Sequence, residues 1–261
     1  MKRGLRITLT VALLAGVAVL LWALGRGTDH TRAMRTCNGV DIVILDSTSL
    51  GFVTKADIKG ILEKEYGVYN GQPLDSVNLK KIENILQGRS AIRSAEAYTT
   101  GDGQLHILVT QREPAVRFQT GQGGYYADET GYIFPLQARY KSAVPMVKGE
   151  IPLNVPEGFK GYPATEAERR WLQEITGLLG RIGKDRKWHG AFTSIEVTAN
   201  GELVLRPAKG KEVFYFGGPD NYADKLARLE KYYTHIVPSR EPGYYKSVNV
   251  KYEKQIICRT Q

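Results

Sequence analysis

The chain has 261 residues, a formal net charge of +9, 42% hydrophobic and 24% charged residues, an ordinary globular make-up with the length for one or two domains with real cores. Its two cysteines, Cys37 and Cys258, stand far apart without a CxxC pair or a Cys/His cluster, which excludes a zinc ribbon and a disulfide-dense scaffold. Two unpaired apolar thiols are the simpler reading, and a long-range disulfide in an oxidising compartment stays open. Basic and acidic residues are interleaved without a dense Arg/Lys block. The excess charge therefore reads as a solvated, mildly basic surface, with attraction to anionic envelope polymers or lipid headgroups a weaker reading and nucleic acid the weakest.

Ile7 to Leu24 is an apolar run without a charge, preceded by Lys2, Arg3 and Arg6. As a helix it spans about 27 Å, just enough for a hydrocarbon core. The basic flank predicts a cytoplasmic tail over 1–6 and an exported bulk. Ile7, Leu14, Leu21, Trp22 and Leu24 are the expected anchor residues, with Trp22 near the far interface. The competing reading is a cleaved signal peptide with Ala23-x-Gly25 as its small-residue site, although the apolar run exceeds the usual core of about 7–15 residues.

A polar linker over 25–38 leads to an expected strand, Gly39 to Asp46, with Val40, Ile42 and Ile44 on one face. Thr54 to Tyr66 reads as an amphipathic helix, with Thr54 as cap and Asp57 completing a capping box. Asn78 caps a second helix through Gln87, with Leu79, Ile82, Ile85 and Leu86 inward and Gly88 as its C′ residue. Ala95–Thr99 and Gln104–Arg112 then form a hairpin around Gly101-Asp102-Gly103, whose glycines supply positive φ. Leu105, Ile107 and Val109 share one face, with His106, Leu108 and Thr110 opposite. Pro114, lacking an N–H, is expected to end the ladder.

The Ile92-x-Ser94-Ala95 strand, the glycine turn, the alternating strand and Arg112-Glu113-Pro114-Ala115-Val116-Arg117 resemble the end of a POTRA domain, and more narrowly that of the bacterial division protein family FtsQ/DivIB. The β-α-α-β-β order obtained from periodicity is the order that resemblance implies, giving a POTRA-like domain over 39–114.

A second domain is expected over 115–261. Gly124 to Leu136 reads as two short strands around an Asp-Glu-Thr-Gly turn and resembles the "hydrophobic-x-Asp-x-x-Gly-x-hydrophobic-Phe" opening of the family's β domain. Val144 to Gly149 resembles its following "Pro-hydrophobic-x-Gly" strand. Ile151 to Pro163 is rich in Pro and Gly and reads as a loop. Thr165 to Ile182 reads as a helix with Trp171, Ile175, Leu178 and Leu179 inward. Phe192–Thr198, Glu202–Pro207 and Glu212–Phe216 alternate like strands of an antiparallel sheet. Asp220–Ile236 reads as a helix with Leu226, Leu229, Tyr233 and Ile236 near one face. Tyr244–Arg259 is expected as one closing strand, with Val248, Val250 and Tyr252 on one face. It resembles the family's final "hydrophobic-Asp-hydrophobic-Arg-Tyr" strand, with Asn249 for Asp and Lys251 for Arg. Lysine lacks the bidentate fork of arginine, so a fork contact is not carried over. The expected fold class is thus α+β: a single membrane helix, a POTRA-like domain and an antiparallel β domain with packed helices.

No motif for catalysis stands out: no GxSxG elbow, P-loop, HExxH or GxGxxG after a strand. His30, His106, His189 and His235 are scattered, Asp128-Glu129 reads as a turn, Asp41 and Asp46 as solvated strand ends, and Cys258 has no nearby base. The reading is a protein without catalytic residues, metal, cofactor or small-molecule substrate. Its useful surface is a sheet edge open to strand addition. The resemblance implies a non-enzymatic inner-membrane scaffold at the division septum that binds FtsB-like and FtsL-like partners and helps assemble septal peptidoglycan synthesis. Matched onto this chain, the family's contact zone falls on Lys251, Tyr252, Glu253 and Lys254, with Val248 and Val250 on the same strand. Tyr252 has the profile of a hot spot, against the alternative that it packs on the Asp220–Ile236 helix. Val40–Leu45 is a second candidate edge. The rival readings are another exported POTRA protein of outer-membrane assembly or secretion, and a cleaved periplasmic enzyme of unknown chemistry.

Overall fold

A computed structural model describes residues 35–260, except 122 and 242. The expected membrane helix over 7–24 lies outside the described residues; among those described, no helix is long and apolar enough to cross a membrane. The chain divides between Gln111 and Arg112 into two units.

The first unit builds from short-range signals. Strand β1 (Gly39–Ile44) is followed by helix α1 (Lys55–Glu65), helix α2 (Leu79–Gln87) and the hairpin of β2 (Ile92–Thr99) and β3 (Gln104–Gln111). The Thr54 hydroxyl accepts from Asp57 N–H while the Asp57 carboxylate accepts from Thr54 N–H, so the capping box forms as expected. Asn78 caps α2 through Lys81 N–H. Gly88, however, ends α2 in the right-handed region at φ −64°, so it is not the left-handed C′ residue expected. In the hairpin turn only Gly103 takes positive φ, +90°; a Cβ there would lie 2.7 Å from the Asn38 amide and 2.8 Å from Thr36 O. β3 is central, parallel to β1 and antiparallel to β2. Its Leu105, Ile107 and Val109 are fully buried against Ile58, Leu62, Ile82 and Leu86 of the helices.

The β2/β3 ladder ends at Gln111, short of Pro114, and Pro114 also opens a strand the sequence reading did not expect, β4 (Pro114–Thr120), in the second sheet. The first residue of a strand is a place where a missing N–H is tolerated, and Val116 and Phe118 then alternate into a second core. β5 (Gly123–Asp128) and β6 (Ile133–Pro135) flank the expected turn, and β7 (Met146–Gly149) follows. Helix α3 (Glu166–Lys184), capped by a Thr165/Glu168 box, precedes β8 (Phe192–Val197), β9 (Leu203–Pro207) and β10 (Val213–Gly217). Helix α4 (Tyr222–Lys231) widens into a π turn over Tyr232–Ile236 and a short 3-10 turn. There Tyr232 and Tyr233 both pack on the Phe214 ring, at 5.7 and 5.8 Å.

Two expectations fail here. With β11 (Ser247–Asn249) and β12 (Ile257–Arg259) at its far end, the expected antiparallel sheet is a mixed, nine-stranded one in the order β12-β11-β10-β9-β8-β7-β4-β5-β6. Its β4/β7, β7/β8 and β10/β11 pairs are parallel. Helical crossovers explain two of these: α3 joins β7 to β8 and α4 joins β10 to β11, and a crossover returns the chain in the same direction. The single closing strand is in fact two short ones, β11 (Ser247–Asn249) and β12 (Ile257–Arg259), antiparallel to each other. The physical reason lies in β10. Its ladder with β9 shifts register between Tyr215 and Gly217, and Val250 N–H makes a bond to Tyr215 O at 3.0 Å. Past that point the chain turns, with Lys254 left-handed at φ +56°, and comes back along the outer side of β11.

Candidate partner-binding edge

The sheet ends at β12, which pairs with β11 on one side and with no strand on the other among the described residues. One row of its backbone N–H and C=O groups therefore has no ladder partner, which is the chemistry of an edge open to an added strand. Alternation sorts the side chains. Phe214, Phe216, Val248 and Val250 are fully buried in the core that Leu178, Leu226 and Leu229 of α3 and α4 also enter, and half-buried Cys258 packs against it. Tyr215, Asn249 and Ile257 stand side by side on the other face, in register across β10, β11 and β12. Tyr215 is 43% and Ile257 37% exposed.

Of the residues singled out in the sequence, Val248 and Val250 are core residues at 0% exposure. They set the position of β11 and offer no contact surface, because the face they occupy is the one the helices cover. Lys251, Tyr252, Glu253 and Lys254 lie not on a strand but in the turn between β11 and β12. Tyr252 is 48% exposed and is not buried against the α4 segment. The turn is held by local bonds. Lys251 N–H donates to Asn249 Oδ1 at 3.0 Å, and Lys251 Nζ reaches Glu202 Oε1 at 2.9 Å. That bond raises the pKa of the lysine. The ammonium also lies 5.1 Å from the Tyr252 ring centroid. Gly217, at φ +78°, makes room for this arrangement: a Cβ there would come 2.6 Å from Lys251 Cβ. Burial pushes the Cys258 thiol up, away from the thiolate.

Sequence reasoning missed Ile257, Arg259, Tyr215 and Glu202 as members of this edge. The first two were placed on an unbroken strand, and the others depend on which strands become neighbours. The second candidate edge, β1, does lie at the margin of its three-stranded sheet. A cleft of about 490 Å³ lies beside it, lined by Val40, Lys59, Glu63 and Val68 among others.

Two further carboxylates singled out in the sequence are engaged structurally. Asp46 is not a solvated strand end: it accepts from Gln111 N at 2.8 Å and Gln111 Nε2 at 3.0 Å. Asp128 Oδ1 accepts from Thr130 N, Thr130 Oγ1 and Tyr132 N at 2.9, 2.6 and 3.0 Å, as its turn role requires. Among the described residues, no group of three or more His, Cys, Asp or Glu side chains is placed to hold a metal ion.

Residues 113–259 match the family model described as FtsQ/DivIB, C-terminal related, over more than half of the chain. The chain belongs to the FtsQ/DivIB family. Residues 35–110 match a POTRA-like domain, so the POTRA-like region precedes the sheet-rich domain as the sequence resemblance implies. No curated protein matches the chain. FtsQ/DivIB is a family of cell-division proteins that work without catalysis, and the family match covers both margins of the nine-stranded sheet, β12 and β6.

Proposed function

We propose that this FtsQ/DivIB-family chain is a bitopic scaffold of the division machinery, anchored in the inner membrane through 7–24, with its bulk exported and concentrated at the septum. It recruits FtsB-like and FtsL-like partners by accepting a strand on β12 and so helps to assemble and control septal peptidoglycan synthesis. The open edge of β12 is the observation that carries this reading. A strand added there gains main-chain hydrogen bonds, and side chains on both of its faces then select the partner. Tyr252, exposed beside the edge, supplies rigid contact area at the end of the added strand. Lys251 acts through its ion pair with Glu202, holding the turn that presents Tyr252.

The test uses the full-length chain in detergent micelles with the exported segment of the same organism's FtsB-like protein. Binding should slow hydrogen exchange at the β12 amides, and Tyr252→Ala should weaken it about tenfold while the far-ultraviolet circular dichroism is unchanged. Binding without added protection of β12 would move the interface elsewhere. The protein should fractionate with membranes; a mature N-terminus near Arg26 in membrane-free extract would instead point to a cleaved, periplasmic protein.

A further inference from the structure

In the middle of the nine-stranded sheet, β4, β7 and β8 lie side by side and all run the same way. Val116, Phe118, Val147 and Ile195 of these strands enter the core with α3, so the residues between them share the opposite, open face. One register row crosses that face. Arg117 on β4 stands beside Met146 on β7, and Met146 stands beside Ser194 on β8, one residue before the Val147/Ile195 pair. Neighbouring strands lie about 4.8 Å apart, so side chains of one row are within reach of each other. Met146 is 50% exposed. On either side of it, Arg117 Nε and Ser194 Oγ are buried, and neither has a hydrogen-bond partner among the described residues. The Arg117 guanidinium is engaged through Nη2, which donates to Gln119 Oε1 at 3.2 Å. The nearest carboxylate on this face of β8, Glu196, is one row on and pairs with Lys148. A buried donor left without a bond costs stability, and a thioether sulfur is only a weak acceptor. Two such donors flanking one accessible sulfur show what the row lacks: an oxygen acceptor carried on Met146.

We infer that Met146 is a reversible oxidation site whose sulfoxide oxygen accepts hydrogen bonds from Arg117 Nε–H and the Ser194 hydroxyl. The oxidant is a peroxide. The sulfur lone pair attacks one peroxide oxygen as the O–O bond breaks, and hydrogen peroxide leaves as water. Sulfur gives up two electrons and the peroxide takes them. A methionine sulfoxide reductase, with a dithiol supplying two electrons, reverses the step. Oxidation of a methionine elsewhere places a polar group among apolar ones and loosens the packing. Here the sulfur stands on the open face, while the adjacent Val147 stays fully buried in the core. The new oxygen meets two donors that lack a partner, so oxidation tightens the centre of the sheet. The site lies five strands from β12 and is independent of what binds there.

The test treats the full-length chain in detergent micelles with hydrogen peroxide and follows Met146 conversion by peptide mass spectrometry. Stability is read as a urea midpoint by tryptophan fluorescence, to which Trp171 and Trp188 of the second unit contribute. Met146→Leu under the same peroxide reports what oxidation of Met1, Met34 and the two cysteines does, and its shift is subtracted. Conversion of Met146 should then raise the parent's midpoint by about 0.3–0.5 M, and reductase treatment should return it to the starting value. Ser194→Ala deletes one partnerless hydroxyl. It should raise the midpoint of the untreated protein and remove at least about half of the gain from oxidation. A fall in the parent's midpoint on conversion, or a gain undiminished in Ser194→Ala, would overturn the assignment. So would a Met146 that stays reduced under peroxide that fully converts a short methionine peptide.

Discussion

Arg112 and Asp128 explain why two separated motifs occur in one chain. Arg112 Nη1 lies 2.6 Å from Asp128 Oδ2, with both side chains almost wholly buried. The guanidinium also lies 3.6 Å above the Tyr132 ring centroid. The Arg-Glu-Pro run and the Asp-x-x-Gly turn are thus two halves of one contact. Arg112→Ala would leave the Asp128 carboxylate buried and uncompensated, which costs about 3–5 kcal/mol. Urea unfolding of the variant should show a loss of that size, and Arg112→Lys should recover only part of it because lysine has neither the fork nor the flat stacking surface. Gly149 is fixed in a similar way. At φ +106° it pairs with Val197, and a Cβ would come 2.2 Å from Val197 O. The glycine of the Pro-hydrophobic-x-Gly strand is therefore demanded by a neighbouring backbone. The motif residues were legible in the sequence, but the contacts that require them were not, since each partner comes from elsewhere in the chain.

Helices were the most legible elements, because their signals are local. The Thr54/Asp57 capping box and the Asn78 cap form where the spacing predicts them, and Thr165, read from the sequence only as a cap, forms a full box with Glu168. At α3 the box has a further attachment. Asn154 N–H donates to Glu168 Oε1 at 2.7 Å, tying the Pro/Gly-rich loop to the first turn of the helix. That bond, followed by those from Thr165, holds the Glu168 carboxyl below its usual range. A depressed folded-state value means stability that is complete above the ordinary glutamate range and is lost as pH falls through the lowered value. Glu168→Gln should therefore flatten the acid side of a plot of urea midpoint against pH, with little change in its shape near neutrality. Strands were legible where two of them are joined by a tight turn, as in β2–β3 and β5–β6. β4 was missed although Val116 and Phe118 alternate, because Pro114 was read as a stop rather than a start. The closing strand was overextended because Val248, Val250 and Tyr252 keep an alternating pattern through a turn. Alternation reports which face a residue prefers. It does not report where the neighbouring strand runs out, and here that limit is set by the register shift near Gly217 on β10.

At the scale of the whole chain, the two units have separate cores with no residue in common. The order of POTRA-like region and sheet-rich domain was legible, since each carries its own pattern of elements. The parallel neighbours β7/β8 and β10/β11 were not, because periodicity says nothing about which strands a helical connection brings together. The same limit hid the edge itself: β12 is an edge only because β11 lies beyond β10. Its construction has one more consequence. A bare strand margin is an invitation to any extended segment, including the same strand of a second molecule. β12 is only three residues long, and one of them is Arg259. Two such margins brought together would place like charges on one short ladder, with few hydrogen bonds to offset them. Resistance to pairing with its own copy thus resides in one side chain of the margin. Sedimentation of the full-length protein in micelles should find single chains at low salt. Arg259→Leu should promote self-association, and a variant that stays monomeric would show that another feature guards the margin.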